Sequence, residues 1–543
     1  MKEIIKEFLK NGYLLSPELA KSLQNTGYKD FLNEINKEKY KPVLLNEDIK
    51  KALENKKEFI NISWQEFDKA RVLYEKEREK NIYQTFLNIL NQDFKGITKK
   101  AQTEVNEDKK NTDLISEEAK DEGSLIILKD YNDIERKRDV ETFTEYFRVR
   151  YNVLKNILSN RPELQNAISI NRLQNKTEHE KIAIIGLVND KRMTKNGNLL
   201  ITLEDPTGLI NIVVTRNKLQ IFNDANDILL DEVIGVSGLN GDKIVFVDNI
   251  YFPDIPSNNP LKKSNEEAYV VFTSDMQVGN KLFYEKSFMK FINWLNLEYG
   301  DEKQKEIASK VKYVFMPGDV VEGVGVYPGQ EEDLIIPDLY KQYDKLAEYL
   351  SKIRKDIKII ISPGNHDAIQ IAEPQPALDK KTAPMLYELP NVYFTTNPSL
   401  VNIASTKEFS GFNVLIYHGF SFPYIAENVE SIRKAGRVER PDLIMKYQLQ
   451  KRHLAPSHSA TLYLPNAKED PLIIDKIPDF LISGHLHKTI VSNYHGVTTA
   501  NCSCWVGQTE DQQRRGIVPD PCKAILVNLK TRDVKILNFK ENE

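Results

Sequence analysis

Five short apolar runs in the second half of the chain each break off at cation-binding residue types, and this pattern constrains the fold more than any other feature. AYVVFTSD leads into Ser274-Asp275-Met276-Gln277, and KYVFMPGD ends at Gly318-Asp319. IKIIISPGNHD ends at Gly364-Asn365-His366-Asp367, FNVLIYHG at Tyr417-His418-Gly419, and DFLISGHLH at Gly484-His485-Leu486-His487. Segments 283–298 and 338–354 between them read as helices. Alternating helices and buried apolar strands predict an α/β sheet with its chemistry at the strand ends. Most of the runs carry a glycine beside the polar residue, which permits a sharp turn there. A single histidine at a strand end is more often a hydrogen-bonded polar residue than a ligand. Five such ends in one chain predict a metal centre.

Carboxylates, imidazoles and an amide oxygen form a donor set for Mn²⁺, with Fe²⁺, Zn²⁺ or Mg²⁺ as alternatives. Two such cations about 3.5–4 Å apart clamp a phosphate ester and activate water. One carboxylate must bridge them to offset their repulsion. A histidine outside the ligand set can protonate the leaving oxygen.

The rest of the chain reads as separate modules. Its 543 residues allow two to four domains. Residues 1–45 read as a small helical unit, with Ile4, Ile5, Phe8 and Leu9 at helical spacing and Ser16-Pro17 opening a second helix through Leu19, Ala20 and Leu23. Residues 46–95 read as helical and charged. Residues 96–124 lack periodic apolar content and read as a disordered linker. Over 126–179 a helical lead-in is expected, its face built from Val140, Phe143, Tyr146, Phe147, Tyr151 and Leu154. From 180 to 255 the period changes to that of strands: five runs, with the turn Glu204-Asp205-Pro206-Thr207-Gly208 between the second and third. They predict a closed barrel of the oligonucleotide/oligosaccharide-binding (OB) type. The fold class is therefore multidomain α/β, with an N-terminal helical unit, a barrel, and a sandwich over 268–543.

Composition excludes some functions. No run of eighteen apolar residues is present, so no membrane-spanning helix is expected. The first residues include acids and lack a signal-peptide cleavage pattern, and the three cysteines are odd in number. Both features point to the cytoplasm. A net charge of −4 argues against strong non-specific DNA binding by the isolated chain.

The five motifs resemble the calcineurin-like metallophosphoesterase superfamily. The resemblance implies that Asp275 and His487 bind a first metal, that Asp319 bridges, and that Asn365, His418 and His485 bind a second. It implies that His366 is the catalytic histidine and Asp367 the acid that orients it. Gln277 stands where that superfamily usually has histidine. A barrel directly ahead of a phosphoesterase domain is also the layout of the polymerase B-subunit family. The segments RKRDVETFTEYFRVRY, SNRPELQNAISINRL, LEDPTG, KRHLAPSHSATLYLP and Asn501-Cys502-Ser503-Cys504-Trp505 resemble its archaeal members, the small subunits of family D polymerases. That resemblance implies a 3′–5′ exonuclease for mismatched DNA ends in DNA replication, with Mn²⁺ favoured. It also implies a large catalytic polymerase subunit as partner and, through the holoenzyme, the sliding clamp. The alternative is an inactive phosphoesterase-fold scaffold for the large subunit.

Other candidates have blander readings. Cys502, Cys504 and Cys522 are expected in the core, because their spacing suits no zinc knuckle. His453 and His458 are expected at the surface. Arg433, Lys434 and Arg437, with Arg440, are weighed as a DNA contact against a solvated helix face.

Overall fold

The computed structural model describes residues 124–131, 138–173, 176, 179–241, 243–514 and 517–541. Of the first 45 it describes 2–11, 13–15, 19, 23, 28–37 and 44–45. The readings for 46–95, for nearly all of 96–124, and for Ser16, Pro17 and Ala20 lie outside the described residues. The chain divides into two compact units, Met1–Glu117 and Glu118–Glu543.

In the first unit, helices Lys2–Lys10 and Tyr28–Lys37 accompany a two-stranded parallel pairing of β1 (Leu14–Leu15) with β2 (Leu44–Leu45). Ile4 and Phe8 fall one helical turn apart and bury against Tyr13, Leu19, Leu23, Phe31, Leu32 and Ile35.

The second unit opens with β3 (Leu125–Asp130), where a helical lead-in was expected from 126. Leu125, Ile126 and Ile127 pair antiparallel with a strand nearly three hundred residues later in the chain, a long-range contact that local periodicity cannot reveal. The helix that follows runs from Val140 to Ser159, with Asp139 and Thr142 forming its capping box. Its buried face is Tyr146, Tyr151, Leu154 and Leu158, whereas Val140 and Phe143 are exposed.

The barrel consists of β4 (Lys181–Met193), β5 (Leu199–Asp205), β6 (Gly208–Val214), β7 (Val233–Gly241) and β8 (Ile244–Tyr251). Their order is β4-β5-β6-β8-β7, and the barrel closes through β7 on β4. Only β6 and β8 are parallel. In the β5–β6 turn Asp205 accepts from Thr207 N at 2.7 Å and Gly208 N at 3.1 Å. Its other oxygen accepts from Ile170 N at 2.9 Å, tying the lead-in to the barrel.

Beyond the barrel come β9 (Tyr269–Phe272), β10 (Val311–Pro317), β11 (Lys358–Ser362), β12 (Val392–Phe394), β13 (Ser399–Ile403), β14 (Phe412–Ile416), β15 (Phe480–Ser483), β16 (Ile490–Tyr494), β17 (Val497–Asn501), β18 (Lys523–Asn528) and β19 (Val534–Asn538). They form two six-stranded sheets, β12-β11-β10-β9-β18-β19 and β16-β17-β15-β14-β13-β3. Phe272, Phe315 and Ile360 of the first sheet share one core with Val401, Val414, Phe480 and Ile482 of the second. Outside the first sheet pack Phe288, Phe291, Leu346 and Leu350 of helices Glu285–Leu295 and Leu339–Ser351. Outside the second pack Ile425, Ile444 and Met445. The layers are thus helix, sheet, sheet, helix. Strands β9, β10 and β11 run parallel, as do β14 and β15, so each set delivers its C-terminal ends to one edge.

Buried charges join these parts. Asp470 accepts from Arg150 Nε at 2.7 Å, from Tyr146 OH at 2.7 Å, and lies 2.9 Å from His453 Nε2. His453 is therefore interior, not at the surface as expected, because this carboxylate and the Ala455 amide satisfy both ring nitrogens. His458 is exposed. Where barrel meets sandwich, Lys451 Nζ lies 2.9 Å from Glu232 Oε2, both side chains buried, and Tyr447 OH hydrogen-bonds the same carboxylate.

Candidate metal centre

The strand ends converge. Asp319, at the end of β10, His418, after β14, and His485, after β15, present ligand atoms within 4.8 Å of one another. His418 Nε2 stands 3.2 Å from Asp319 Oδ2 and 3.1 Å from Asn365 Oδ1. Beside them, His487 Nε2 lies 3.2 Å from Asp275 Oδ1, and Asp275 also accepts from His485 N at 3.1 Å. Gln277 is buried in the same loop, and its backbone N–H donates to Asp319 O at 3.0 Å.

The backbone here is strained. Asp275, Gln277, Asp319, His485 and His487 have φ of 52°, 47°, 51°, 68° and 55°. Non-glycine residues rarely adopt such angles, and a cluster of them marks a place where geometry outweighs local comfort. Close packing has the same origin. A Cβ on Gly318 would strike the His418 ring, one on Gly364 would strike Asp319, and one on Gly484 would strike Asp275.

Electrostatics follow from burial and proximity. Burial opposes ionisation of Asp319, but His418 and His366 outweigh it and hold its carboxyl below the usual range. Burial works against protonation of His418 too, yet Asp319 raises it to about 9. His485 is pushed down to about 3 by burial and by His418, so its ring is neutral with a lone pair to offer. His418 Nδ1 donates to Pro317 O at 2.8 Å, which leaves Nε2 facing the carboxylate.

His366 is placed differently from the expected ligands. Its amide donates to Asp319 Oδ1 at 2.8 Å, while its ring Nδ1 donates to Glu322 O at 2.8 Å and lies 3.9 Å from Glu322 Oε1. Asp367 was expected to orient this ring and instead points elsewhere. Its carboxylate accepts from Gly364 N at 2.8 Å and Tyr343 OH at 3.3 Å, pinning the loop. Burial and Asp319 push Asp367 up to about 7. Glu322, three residues beyond Asp319, takes the orienting position.

The expected basic patch is largely paired. Lys434 meets Glu430, Arg437 lies 3.5 Å from Glu427, and Arg440 grips Asp442 through two bonds at 2.9 and 2.7 Å. Arg433 is exposed. Cys502, Cys504 and Cys522 are buried, and Cys504 packs against His487.

Residues 270–491 match the family model of the DNA polymerase alpha/epsilon B subunits. The DNA polymerase II small subunit of Methanothermobacter thermautotrophicus is 41% identical over 394 residues, covering 73% of this chain and 78% of that one. The chain belongs to the archaeal DNA polymerase II small-subunit family, that of the family D polymerases. The small subunit from Methanocaldococcus jannaschii is 36% identical over 76% of this chain and 68% of its own. That from Pyrococcus furiosus is 35% identical over 85% and 73%.

Two groups of this family member lie outside the motifs that the sequence presents. Glu322 carries little signal, because it meets His366 chiefly through its main-chain carbonyl. Gln512, whose Nε2 lies 2.9 Å from His487 Nδ1, carries none.

Proposed function

We propose that this chain works as the small subunit of a family D DNA polymerase and hydrolyses DNA from the 3′ end as a proofreading exonuclease. The observation that carries the reading is the convergence of carboxylate, imidazole and amide donors from five strand ends, with strained φ at five residues on three of those ends. The donor set suits Mn²⁺. Asp275, Gln277 and His487 would hold one cation, Asn365, His418 and His485 the other, and Asp319 both. When bound, the cations activate water and offset the charge of the phosphate. His366, fixed through Nδ1 by the Glu322 carbonyl, presents Nε2 to the departing 3′-oxygen and, as the imidazolium, donates the Nε2 proton there. The helix–sheet–sheet–helix order supports a calcineurin-like sandwich. The β4-β5-β6-β8-β7 order, with helix Leu219–Asn226 before β7, supports an OB barrel. The large polymerase subunit is the partner, DNA the substrate, and the clamp is reached through the holoenzyme.

The test uses 5′-labelled single-stranded DNA with Mn²⁺, with and without chelator. Progressive shortening from the 3′ end that stops on chelation is expected. An intact substrate, in a preparation that still binds the large subunit, would leave the scaffold role instead.

A further inference from the structure

The outer nitrogen of His487 has a partner that no motif announces. Gln512 Nε2 sits 2.9 Å from His487 Nδ1. The same amide's Oε1 accepts from Thr509 N at 3.2 Å, and Thr509 Oγ1 accepts from Gln512 N at 3.3 Å. This reciprocal pair fixes the half-buried side chain. Farther along the chain, Asp520 N donates to His487 O at 2.8 Å. On the inner side, His487 Nε2 faces Asp275 Oδ1 at 3.2 Å.

These contacts select a tautomer. An amide N–H donates, so Nδ1 holds the lone pair and Nε2 carries the proton directed at Asp275. A cation needs the reverse: a lone pair on Nε2 and the proton on Nδ1. A half-turn of the Gln512 amide exchanges its oxygen and nitrogen in nearly the same positions, and Oε1 then accepts from Nδ1–H. That turn sets an N–H against Thr509 N and breaks the reciprocal pair. The ring's other neighbour, Cys504, gives its S–H to Val506 O at 3.4 Å and is a weak acceptor.

We propose that Gln512 is a positioning residue that sets the His487 tautomer, and that its amide turns over when the first cation enters. Occupancy of that site is thereby coupled to segment 508–514. The inference rests on the two-cation reading above.

The test is Mn²⁺ titration of the full chain by calorimetry and electron paramagnetic resonance, in wild type, Gln512→Met and Gln512→Glu. Wild type is expected to take two ions and give a spin-coupled signal. Gln512→Met keeps the shape without the polar atoms. It should weaken one of the two sites by about 10–100-fold, leave the other unchanged, and delay the coupled signal accordingly. Gln512→Glu can only accept, so it should retain wild-type affinity or better. Two-ion binding by Gln512→Met equal to wild type would overturn the proposal. So would a Gln512→Glu variant with one site about 10-fold or more weaker than wild type, because Gln512 would then act only as a donor; this arm decides the matter if the Met variant does not fold. A wild type that takes fewer than two ions overturns the two-cation reading itself.

Discussion

At the scale of single residues, substitutions of His366 and Gln277 test the proposed chemistry and the proposed metal binding separately. His366 contacts Asp319 through its amide and Glu322 through its ring, so removing the ring leaves the ligand atoms in place. His366→Ala should lower hydrolysis by about 10²–10⁴-fold while calorimetry still finds the cations bound. Near-normal turnover would remove His366 from the mechanism. Gln277 offers a neutral amide where an imidazole is a stronger donor. Gln277→His should reach half-maximal activity at lower Mn²⁺ and tolerate Zn²⁺ better. Identical Mn²⁺ curves for the two proteins would show that position 277 is not a ligand.

At the scale of elements, the joint between helix Val140–Ser159 and the 453–475 segment is held by buried charge. Asp470→Asn leaves the buried Arg150 guanidinium without its counter-ion and should destabilise the second unit by about 3–5 kcal/mol. Denaturant melts compare the two, and a loss under about 1 kcal/mol would show that the pair is dispensable. The same joint sets a pH dependence. Burial and Arg150 push His453 from 6.5 down to about 4. Between those values the unfolded chain binds the proton and the folded one does not, so stability is full above about 6.5 and falls as the pH drops toward 4. The loss across that window is about 3 kcal/mol. His453→Gln should flatten the profile of urea midpoint against pH between about 7 and about 5.

For the whole molecule, the division at Glu117 and Glu118 makes the second unit a candidate for independent activity. A chain beginning at Glu118 should fold and digest DNA like the full protein. A chain beginning at Asn132 lacks β3, which exposes the flank of β13 and removes the hydrogen bond from Tyr313 OH to Ser124 O. It should melt at least about 4 °C lower. Equal melting of the two would mean that β3 contributes nothing to the sheet. The net charge of −4 leaves little non-specific grip on DNA. Exonuclease activity should therefore persist to higher salt once the large subunit is in place and adds its own phosphate contacts, as measured on the co-purified complex.

The sequence by itself determined which donor residue types end the strands and in what order, because each one directly follows a short apolar run. It also determined the barrel, because strand alternation and the Asp205 turn are local signals. Only the tertiary structure decided that β3 completes a sheet, since its partner Leu400 is fixed by long-range pairing. The same holds for His453, which reads as a polar loop residue until Asp470, 17 positions later, and the far more distant Arg150 are brought to it. The choice of Glu322 over Asp367 as the group holding His366 was likewise a matter of direction in space. Adjacency in sequence suggested Asp367, but the turn aims that carboxylate at Gly364 and Tyr343. Residue type and spacing record which chemistry is on offer, whereas side-chain direction depends on backbone angles that only the packed loops impose.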